Sequence, residues 1–249
     1  MITIKNESAL ERMAHAGALL AQMFEKIRHM LEPGISTAQI DTWIEHYLRQ
    51  NNLVSSMRGY MGYRHVSCIS LNDEVVHGIP TSERKVKEHD LVKVDVCASF
   101  NGYCADMARS FFVSEGTQEA QRFIDVAWDA LNKGIQEVVA GERLTNISAA
   151  IQREVEAHGY GVVREFAGHG IGKRMHEDPE LLNYGKPGCG PVMKPGMAFA
   201  IEPMITYGDY KVYVAHDGWT VKTIDKSLAA HVEDTVIVTE HGPRILTRV

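Results

Sequence analysis

Residues 91–113 read LVKVDVCASFNGYCADMARSFFV, two strand-like runs that are separated by Asn101-Gly102. Asn-Gly between apolar runs is a strong signal for a two-residue hairpin turn, because both residues adopt positive φ at low cost. With these two residues as the loop, Cys97 faces Asp106 across the strand pair. The stretch therefore predicts an antiparallel hairpin whose register is fixed by its turn.

Two aspartates lie on one face of this predicted hairpin. Asp95 is two residues from Cys97, which puts it diagonally opposite Asp106 with the two Cα atoms roughly 7 to 8 Å apart. Aspartate is depleted inside strands, and two facing carboxylates repel each other unless a cation lies between them or one is protonated. The pair therefore favours a metal site. Two solvated strand aspartates, or an ordinary ion pair between Asp106 and Arg109, are the alternatives.

The hairpin belongs to a pattern that occurs twice along the chain. Apolar residues at helical spacing, followed by strand-like runs, predict a helix pair and then strands in each half. The predicted segments are helices at 8–31 and from near Ser36, strands within 65–113, helices at 117–139 and 146–158, and strands within 162–247. Ser8 with Glu11, and Ser36 with Gln39, have the spacing of capping boxes.

The two halves also match each other weakly in sequence. At a constant offset of 107 residues, four positions of the first half correspond to four of the second: Gly34, Ile40, Ile44 and Leu48 to Gly141, Ile147, Ile151 and Val155. We therefore predict an α+β fold of two related halves, about 8–113 and 117–247, whose sheets join beneath covering helices. Without a low-complexity linker, residues 1–249 are predicted to form a single domain. A chance match is the alternative.

Composition limits the function. The chain has 249 residues, with 26 Lys and Arg against 32 Asp and Glu and a formal net charge of −6. This mild acidity argues against nucleic acid sequence recognition and against binding to an anionic membrane surface. The four cysteines form no CxxC pair, no run of about 18 apolar residues exists, and the N-terminal residues lack a secretory apolar region. We expect a cytoplasmic, soluble protein with reduced thiols.

Three further residues could join the two aspartates. His169 lies in AGHGIG (167–172), where glycines permit unusual backbone angles and the close approach of a ligand. Glu202 follows the apolar run GMAFAI and precedes Pro203, as expected at a strand end. Glu233 lies inside the strand-like run AAHVEDTVIVT. A surface-loop histidine and solvated edge glutamates are the alternatives.

The candidate metal ligands are thus two Asp, one His and two Glu: Asp95, Asp106, His169, Glu202 and Glu233. An oxygen-rich set with one imidazole suits Mn, Fe, Co or Zn better than a structural zinc site, which usually contains cysteines. Four carboxylates are many for one ion but suit two ions with bridging carboxylates, about 3.5 to 4 Å apart, as in two-metal hydrolases. The set predicts two divalent ions per chain, of unknown identity.

Seven motifs, taken together across essentially the whole chain, resemble those of the type I methionine aminopeptidases, which have the pita-bread fold. They are NDEVVHGIP (72–80), VDV (94–96), ADMARSF (105–111), GHGIG (168–172), MHEDP (175–179), IEP (201–203) and VEDTVIVT (232–239). Five spaced ligands in the family's order make the resemblance specific. The sequence shows neither a cysteine-rich extension nor a long helical insert, and in this it resembles the short bacterial form of the family.

The resemblance implies roles for the metal ligands. Asp95 would chelate one ion, whereas Asp106 and Glu233 would bridge both. His169 and Glu202 would complete the other ion, and Glu202 would also take the proton of the attacking water.

The resemblance also implies substrate contacts. His176 would hydrogen-bond the substrate carbonyl or the oxyanion, and His77 would contact the substrate backbone or the leaving amine. An apolar wall would surround the methionine side chain, formed by Tyr60, Tyr63, Cys68 and Trp219. Ordinary core aromatics are the alternative for this group. Met175 and Arg64 depart from the usual Phe and Pro of the family and alter the expected shape of the pocket.

The activity that the resemblance implies is removal of the initiator methionine from nascent proteins with a small second residue. The implied cofactors are two divalent ions, Co, Mn, Fe or Zn, and the implied partners are nascent polypeptide N-termini that begin with Met. We expect a monomer, and the resemblance makes the ribosome a candidate partner, although the sequence itself gives no direct sign of this association. A related pita-bread peptidase of the prolidase or aminopeptidase P type, and a non-catalytic pita-bread binding protein, are the alternatives.

Overall fold

The structure is a computed structural model that describes residues 1–248. Within these residues the helices are α1 (Glu7–Met30), α2 (Thr37–Gln50), α3 (Gln118–Gln136) and α4 (Thr145–Ala157). The strands are β1 (Val54–Ser55), β2 (Cys68–Leu71), β3 (Glu74–Val76), β4 (Leu91–Phe100), β5 (Tyr103–Phe112), β6 (Gly161–Val162), β7 (Ala167–Gly170), β8 (Glu177–Leu182), β9 (Ala198–Ile201), β10 (Met204–Thr206), β11 (Val212–Val214), β12 (Val221–Thr223), β13 (Ala229–His231), β14 (Asp234–Thr239) and β15 (Gly242–Ile245). The predicted order of two helix pairs, each followed by strands, is confirmed.

The caps of the first two helices differ in how well they were predicted. Asn6 caps α1, because its Oδ1 accepts a hydrogen bond from the backbone N of Ala9 at 3.0 Å. The predicted capping box of Ser8 and Glu11 is therefore wrong, since both residues already lie inside the helix. At α2 the predicted box is confirmed: Ser36 Oγ accepts from Gln39 N, and Gln39 Oε1 accepts from Ser36 N.

The hairpin of β4 and β5 has the predicted register. Cys97 pairs with Asp106, and the turn residues Asn101 and Gly102 have φ of 46° and 78°. Because side chains alternate along a strand, Val92, Val94 and Val96 pack in one core with α1 and α2, while Asp95 and Cys97 lie on the opposite face. One face of the hairpin thus binds helices and the other is free to build a site.

The sheets of the two halves meet at β5 and β14. The sheet of the first half has the order β1-β4-β2 with β5 on β4, and the second half contributes the sheet β15-β14-β9-β7-β8. Ala108 forms an isolated bridge with Glu233, and Asp106 exchanges two hydrogen bonds of 2.8 Å with the hydroxyl of Thr235. The junction between the halves is therefore also where Asp106 and Glu233 lie.

The internal repeat extends to individual hydrogen bonds. Gly34 N donates to Val86 O at 2.8 Å, and Gly141 N donates to Met193 O at 2.9 Å, so donor and acceptor are each shifted by the same 107 residues. Both glycines have positive φ, 98° and 92°. Isolated bridges follow the same offset, Ser36 with Lys85 and Arg143 with Val192. The predicted fold of two helix-helix-strand halves is confirmed.

Helices α3 and α4 cover the sheet of the second half. Phe123 and Ile151 are fully buried in one core with Phe199 of β9. Burying each such side chain contributes about 1.5–3 kcal/mol. The helices approach closely at Gly134, where an added Cβ would lie 2.8 Å from Ile151 Cγ1. In the described part of the chain, none of the helices combines the length and the apolar character that crossing a membrane requires.

Candidate metal centre and active site

The five predicted metal ligands line one cavity of about 300 Å³. They come from both halves: Asp95 on β4, Asp106 on β5, His169 on β7, Glu202 directly after β9 and Glu233 directly before β14. Glu202 lies at a strand end, as predicted. Glu233 lies between two strands rather than inside one, and its backbone N donates to Ala108 O at 2.9 Å. Residues up to 138 positions apart in the sequence thus converge on one space.

Three of these ligands form the tightest group. One ligand atom each of Asp106, His169 and Glu233 lies within 4.8 Å of the other two. His169 Nε2 is 3.9 Å from Asp106 Oδ2 and 3.5 Å from Glu202 Oε1. Asp95 and Glu202 lie outside the group of three but line the same cavity. The arrangement is therefore a compact centre of three residues with two further acids beside it.

Burial raises the pKa of all four carboxylic acids in the cavity. The pKa of Asp106 rises to about 6, and that of Asp95 rises well above its usual value because the charge of Asp106 adds to burial. Burial, and then the neighbouring carboxylates, also raise the pKa of Glu202 and Glu233. Four such acids cannot all be ionised at neutral pH unless positive charge compensates them.

The imidazole of His169 is oriented toward these acids. Its Nδ1 donates to Gly170 O at 3.0 Å, which leaves the lone pair of Nε2 directed at the carboxylates. Burial lowers the pKa of His169 to about 3, with the charge of His176 as the second cause, so the ring is neutral at pH 7. A neutral imidazole with one nitrogen fixed by a carbonyl is the form that binds metal ions.

The donor set fits a divalent cation. Glu233 Oε1 is buried and has no hydrogen-bond partner among the described residues. Buried acceptors without donors are costly, and carboxylate oxygens together with one imidazole are ligands that several divalent metals accept. The residues present therefore fit divalent metal ions, which would satisfy the orphan oxygen and relieve the repulsion among the acids.

Two further histidines line the cavity. His176 Nδ1 is 2.9 Å from the hydroxyl of Tyr60, and the His176 ring stands edge-on to His169 with 4.3 Å between centroids. His77 has a positive φ of 60° and packs edge-on against Phe166. Burial lowers the pKa of both rings, that of His77 to about 4. Both imidazoles are therefore neutral groups near the acids.

The predicted apolar residues also reach this cavity. Its lining includes Tyr60, Tyr63, Cys68 and Trp219. Tyr63 donates its hydroxyl proton to Ser67 O at 2.8 Å, so its polar end is satisfied. Its ring packs against that of Trp219 at a tilt of 58°, with 4.9 Å between the centroids. Met175 lines the cavity as expected, whereas Arg64 lines a neighbouring cavity instead.

The glycines around His169 have a different role from the predicted one. Gly168, Gly170 and Gly172 all lack positive φ. Instead they permit close packing, because an added Cβ on Gly168 would lie 2.4 Å from Ala200 O and one on Gly170 would lie 2.0 Å from Asp178 O. The motif therefore brings neighbouring backbones together around His169 and does not form an unusual turn.

Two residues that sequence reasoning passed over contact Glu202. His231 Nε2 lies 3.2 Å from Glu202 Oε2, and burial lowers the pKa of His231 to about 3. Asn183 Nδ2 donates to Glu202 O at 3.0 Å. The sequence AAHVED offered one signal, since alternation along the predicted strand would put His231 and Glu233, two residues apart, on the same face. Asn183 had no signal in the sequence.

Arg109 does not form the ion pair with Asp106 that the sequence left open. Its guanidinium lies 2.7 Å from Asp234 Oδ1, donates to the carbonyl of Glu233 and stacks on Trp128. Asp106 is thereby left without a cationic side chain. The alternative of an ordinary ion pair between Asp106 and Arg109 is therefore wrong.

Comparisons with known proteins agree with this site. Residues 11–240 match the model of metallopeptidase family M24. A methionine aminopeptidase from Clostridium acetobutylicum is 46% identical over 247 residues, which cover 99% of each chain. The crystal structure of a methionine aminopeptidase from Thermotoga maritima matches with a TM-score of 0.98 and 40% identity over 100% of both chains.

A more distant match shares the fold alone. The prolidase from Pyrococcus furiosus has a TM-score of 0.78 at 21% identity, and the match covers 99% of this chain and 65% of that one. The predicted pita-bread fold is confirmed by these likenesses. On family match and full-length identity together, the chain belongs to metallopeptidase family M24 and, within it, to the methionine aminopeptidases.

Proposed function

We propose that this chain removes the N-terminal methionine from nascent proteins and peptides whose second residue is small, by hydrolysis of the first peptide bond. One observation carries the proposal: a single cavity is lined by four carboxylates and one imidazole, by apolar side chains and by two further histidines. Its methionine aminopeptidase relatives support the same activity. Because the likeness to prolidases is one of fold alone, no separate argument favours their substrates.

The proposed metal ligands are the five buried residues of the cavity. Asp106 and Glu233 would be shared between two ions, Asp95 would hold one of them, and His169 and Glu202 would hold the other. Divalent cations held there supply Lewis acidity, which lets a water molecule lose a proton near neutral pH and polarises a peptide carbonyl. Co, Mn, Fe and Zn all suit this donor set.

Glu202 is the proposed proton acceptor. Burial raises its pKa, which makes the carboxylate a stronger base than an exposed glutamate. His231 Nε2 lies 3.2 Å from Glu202 Oε2 without hydrogen-bond geometry, so a buried, neutral ring packs against the proton-accepting carboxylate. A carboxylate that bridges two cations would be a weaker base than one that contacts a single cation, which favours Glu202 over the two bridging acids.

His176 and His77 are the proposed substrate contacts. The hydroxyl of Tyr60, 2.9 Å from His176 Nδ1, can donate to that nitrogen and so leave Nε2–H as a donor. We assign this N–H to the oxygen of the scissile carbonyl, where negative charge develops in the transition state. His77 is assigned to the substrate backbone or the leaving amine.

The apolar wall is proposed to bind the methionine side chain. Aromatic rings make favourable contacts with a thioether, and Tyr63 and Trp219 present such rings with their polar ends bonded or exposed. The cavity volume of about 300 Å³ is at the lower end of the range for small-molecule sites. Bulky second residues would be excluded by steric clash.

The cellular setting is part of the proposal. We propose that the protein is cytoplasmic, because its four cysteines are free thiols, as is usual in a reducing compartment. We also propose that it acts as a monomer. Its partners would be nascent chains that begin with Met, and association with the ribosome stays a prediction.

A peptide panel tests the function. The metal-free protein is reconstituted separately with Mn, Fe, Co and Zn and assayed on Met-Ala-Ser, Met-Leu-Ser, Leu-Ala-Ser and Ala-Pro-Ser. Among the four peptides we expect Met-Ala-Ser to be the preferred substrate, with methionine released at least tenfold faster than from Met-Leu-Ser. Preferential cleavage of Ala-Pro-Ser would refute the assignment in favour of a prolidase-type activity. No cleavage of any peptide with any metal would favour a non-catalytic binding protein.

A further inference from the structure

The N-terminal strap, residues 2–6, contacts the segment that carries His176. Lys5 N donates to Gly196 O at 2.8 Å, which fixes the backbone of the strap. Lys5 Nζ lies 3.3 Å from Glu177 Oε2, and the two side chains are only 4% and 6% exposed. A buried lysine of the strap is thus paired with the residue that directly follows His176.

The carboxylate of Glu177 closes a turn around His176. Its Oε1 accepts from the backbone N of Arg174 at 3.2 Å, so the chain from 174 to 177 is bent back on itself. Its Oε2 accepts from Thr3 Oγ1 at 2.6 Å as well as facing Lys5. One carboxylate therefore joins the strap on one side to the turn on the other.

The turn leaves little space around this ion pair. An added Cβ on Gly172 would lie 2.7 Å from Lys5 Cε and 2.8 Å from Glu177 Oε1. The carbonyl of Gly172 accepts from Cys104 N at 2.7 Å, which attaches the same segment to β5. Loss of the lysine would open a space beside the turn, and the turn could then shift into it.

The ring of His176 is held from the opposite side by Tyr60, whose hydroxyl is 2.9 Å from Nδ1. That single contact fixes one ring nitrogen but not the backbone that carries the ring. The position of the other nitrogen relative to His169, 4.3 Å away between ring centroids, therefore also depends on the turn.

A buried ion pair is weak evidence for stability, because replacing both partners with apolar side chains often leaves stability unchanged. Burial lowers the pKa of Lys5, and the nearby charge of Glu177 offsets part of this effect. Burial raises the pKa of Glu177, but hydrogen bonds from Thr3, Arg174 N and Lys5 outweigh it. The charges of Lys5 and Glu177 are thus removed from water without an evident gain in stability. The ion pair is therefore better explained by the position in which it holds the neighbouring backbone.

We propose that Lys5 is a positioning residue for the reaction: through its ion pair with Glu177, the N-terminal strap holds the turn that aims His176 at the scissile carbonyl. This inference rests on the proposed function, since it takes His176 as the group that contacts the substrate. Lys5 itself does not touch the reacting atoms. Displacement of a catalytic contact by about 1 Å can cost a hundredfold in rate.

The kinetic test compares Lys5→Met, Lys5→Arg and the double variant Lys5→Met/Glu177→Met with the wild type on Met-Ala-Ser. We expect kcat to fall about 30-fold in Lys5→Met and in the double variant, with KM within about threefold. Lys5→Arg keeps the charge and should recover kcat to within about threefold of wild type. Lys87→Met, at an exposed lysine, is the matched control and should be unchanged.

The outcome that overturns the inference is a double variant that folds with wild-type kcat, because the pair would then be a packing feature. If Lys5→Met does not fold, Glu177→Gln replaces it: the amide removes the charge that pairs with Lys5, and its one oxygen can keep the hydrogen bond from either Thr3 or Arg174 N. A wild-type kcat in Glu177→Gln would equally overturn the inference. Failure of the wild type itself to cleave Met-Ala-Ser would instead count against the proposed function.

A second measurement does not depend on turnover. The Cε1–H signal of His176 is followed by NMR in zinc-loaded protein that carries labelled histidine and is assigned with His176→Gln. In Lys5→Met we expect this signal to shift or broaden, while that of the distant, exposed His46 stays in place. An unmoved His176 signal would show that the turn does not depend on Lys5 and would overturn the inference.

Discussion

The hairpin of β4 and β5 and the segment from β7 to β8 reach the same cavity in different ways. Asp95 and Asp106 lie on adjacent strands joined by a two-residue turn, so local chain geometry alone brings them together. His169 and His176 are separated by a loop, and their positions depend on β9, on Tyr60 and on the strap. The first half of the site is built by short-range pairing and the second by long-range contacts.

This difference explains where sequence reasoning succeeds. A turn signal and a period of two are properties of neighbouring residues, so the register of Cys97 with Asp106 could be read directly. Long-range pairing depends on which backbones approach each other, and a sequence does not state this. The two regions should therefore respond differently to substitution.

The largest effect is expected from Asp106→Asn in the hairpin. Loss of one charge from the junction of the halves should lower kcat/KM at least about 1,000-fold and reduce the bound metal, while the fold persists. Steady-state kinetics and elemental analysis measure both quantities, with the exposed Asp129→Asn as the control. Undiminished turnover in Asp106→Asn would refute the assignment of this residue as a metal ligand.

His176→Ala tests the other region and should have the next largest effect. Loss of a donor to the developing oxyanion should lower kcat about 100-fold and leave KM within about threefold, because the contact strengthens in the transition state. Metal content should be unchanged, which separates this variant from Asp106→Asn. A rise in KM with an unchanged kcat would argue against the oxyanion contact.

A smaller effect concerns acid stability in the metal-free protein. Burial lowers the pKa of His77 to about 4, whereas an unfolded histidine titrates near 6.5. Between pH 6.5 and pH 4 this histidine is therefore protonated in the unfolded chain and neutral in the folded one. Neutral His77 makes its full contribution to stability above pH 6.5. As the pH falls from 6.5 to 4, this group lowers the free energy of unfolding by about 2 kcal/mol, after allowance for its partial exposure.

Urea unfolding of wild type and His77→Gln at pH 7 and pH 4, in the presence of a chelator, measures this loss. The stability of the wild type should fall more steeply with acid than that of the variant. His176→Gln, whose parent histidine is also lowered in pKa by burial, provides the comparison from the other region. Parallel curves for His77→Gln and wild type would contradict the burial of a neutral ring at this position.

The smallest effect is expected at the hairpin turn. Gly102 has φ of 78°, which an alanine adopts only with strain, and an added Cβ there meets no atom within 4 Å. Gly102→Ala should therefore lower the free energy of unfolding by about 1 kcal/mol without changing kcat. Thermal denaturation and the Met-Ala-Ser assay check the two parts. A large loss of kcat would show that the turn and the metal centre are not separable.

Much of the fold follows from local patterns in the sequence. The helix pairs, the cap at Ser36 and the hairpin depend on spacing within a few residues, and all were predicted. The cap at Ser8 failed because Asn6, an equally good cap, comes two residues earlier and the local pattern does not rank them.

The candidate metal ligands could be predicted from the sequence, but the residues that pack against the site and position it could not. The four acids and one histidine were predictable because ionisable residues among apolar ones are costly to bury without a partner. No such contrast with apolar neighbours marks three other residues, Lys5, His231 and Asn183. Lys5 and its partner Glu177 are also 172 positions apart in the sequence. The glycines near His169 were predicted to permit unusual backbone angles, but they permit close packing instead. Close packing depends on a neighbouring segment that the sequence does not identify.

The joining of the sheets at Ala108 and Glu233 has a consequence for how the chain can be divided. Asp95 and Asp106 belong to one half and the other three candidate ligands to the other, so neither half alone holds a complete donor set. If the chain were divided between the hairpin and α3, each separately expressed fragment would be inactive by itself. Turnover would return only when the two fragments associate, so activity would measure their reassembly.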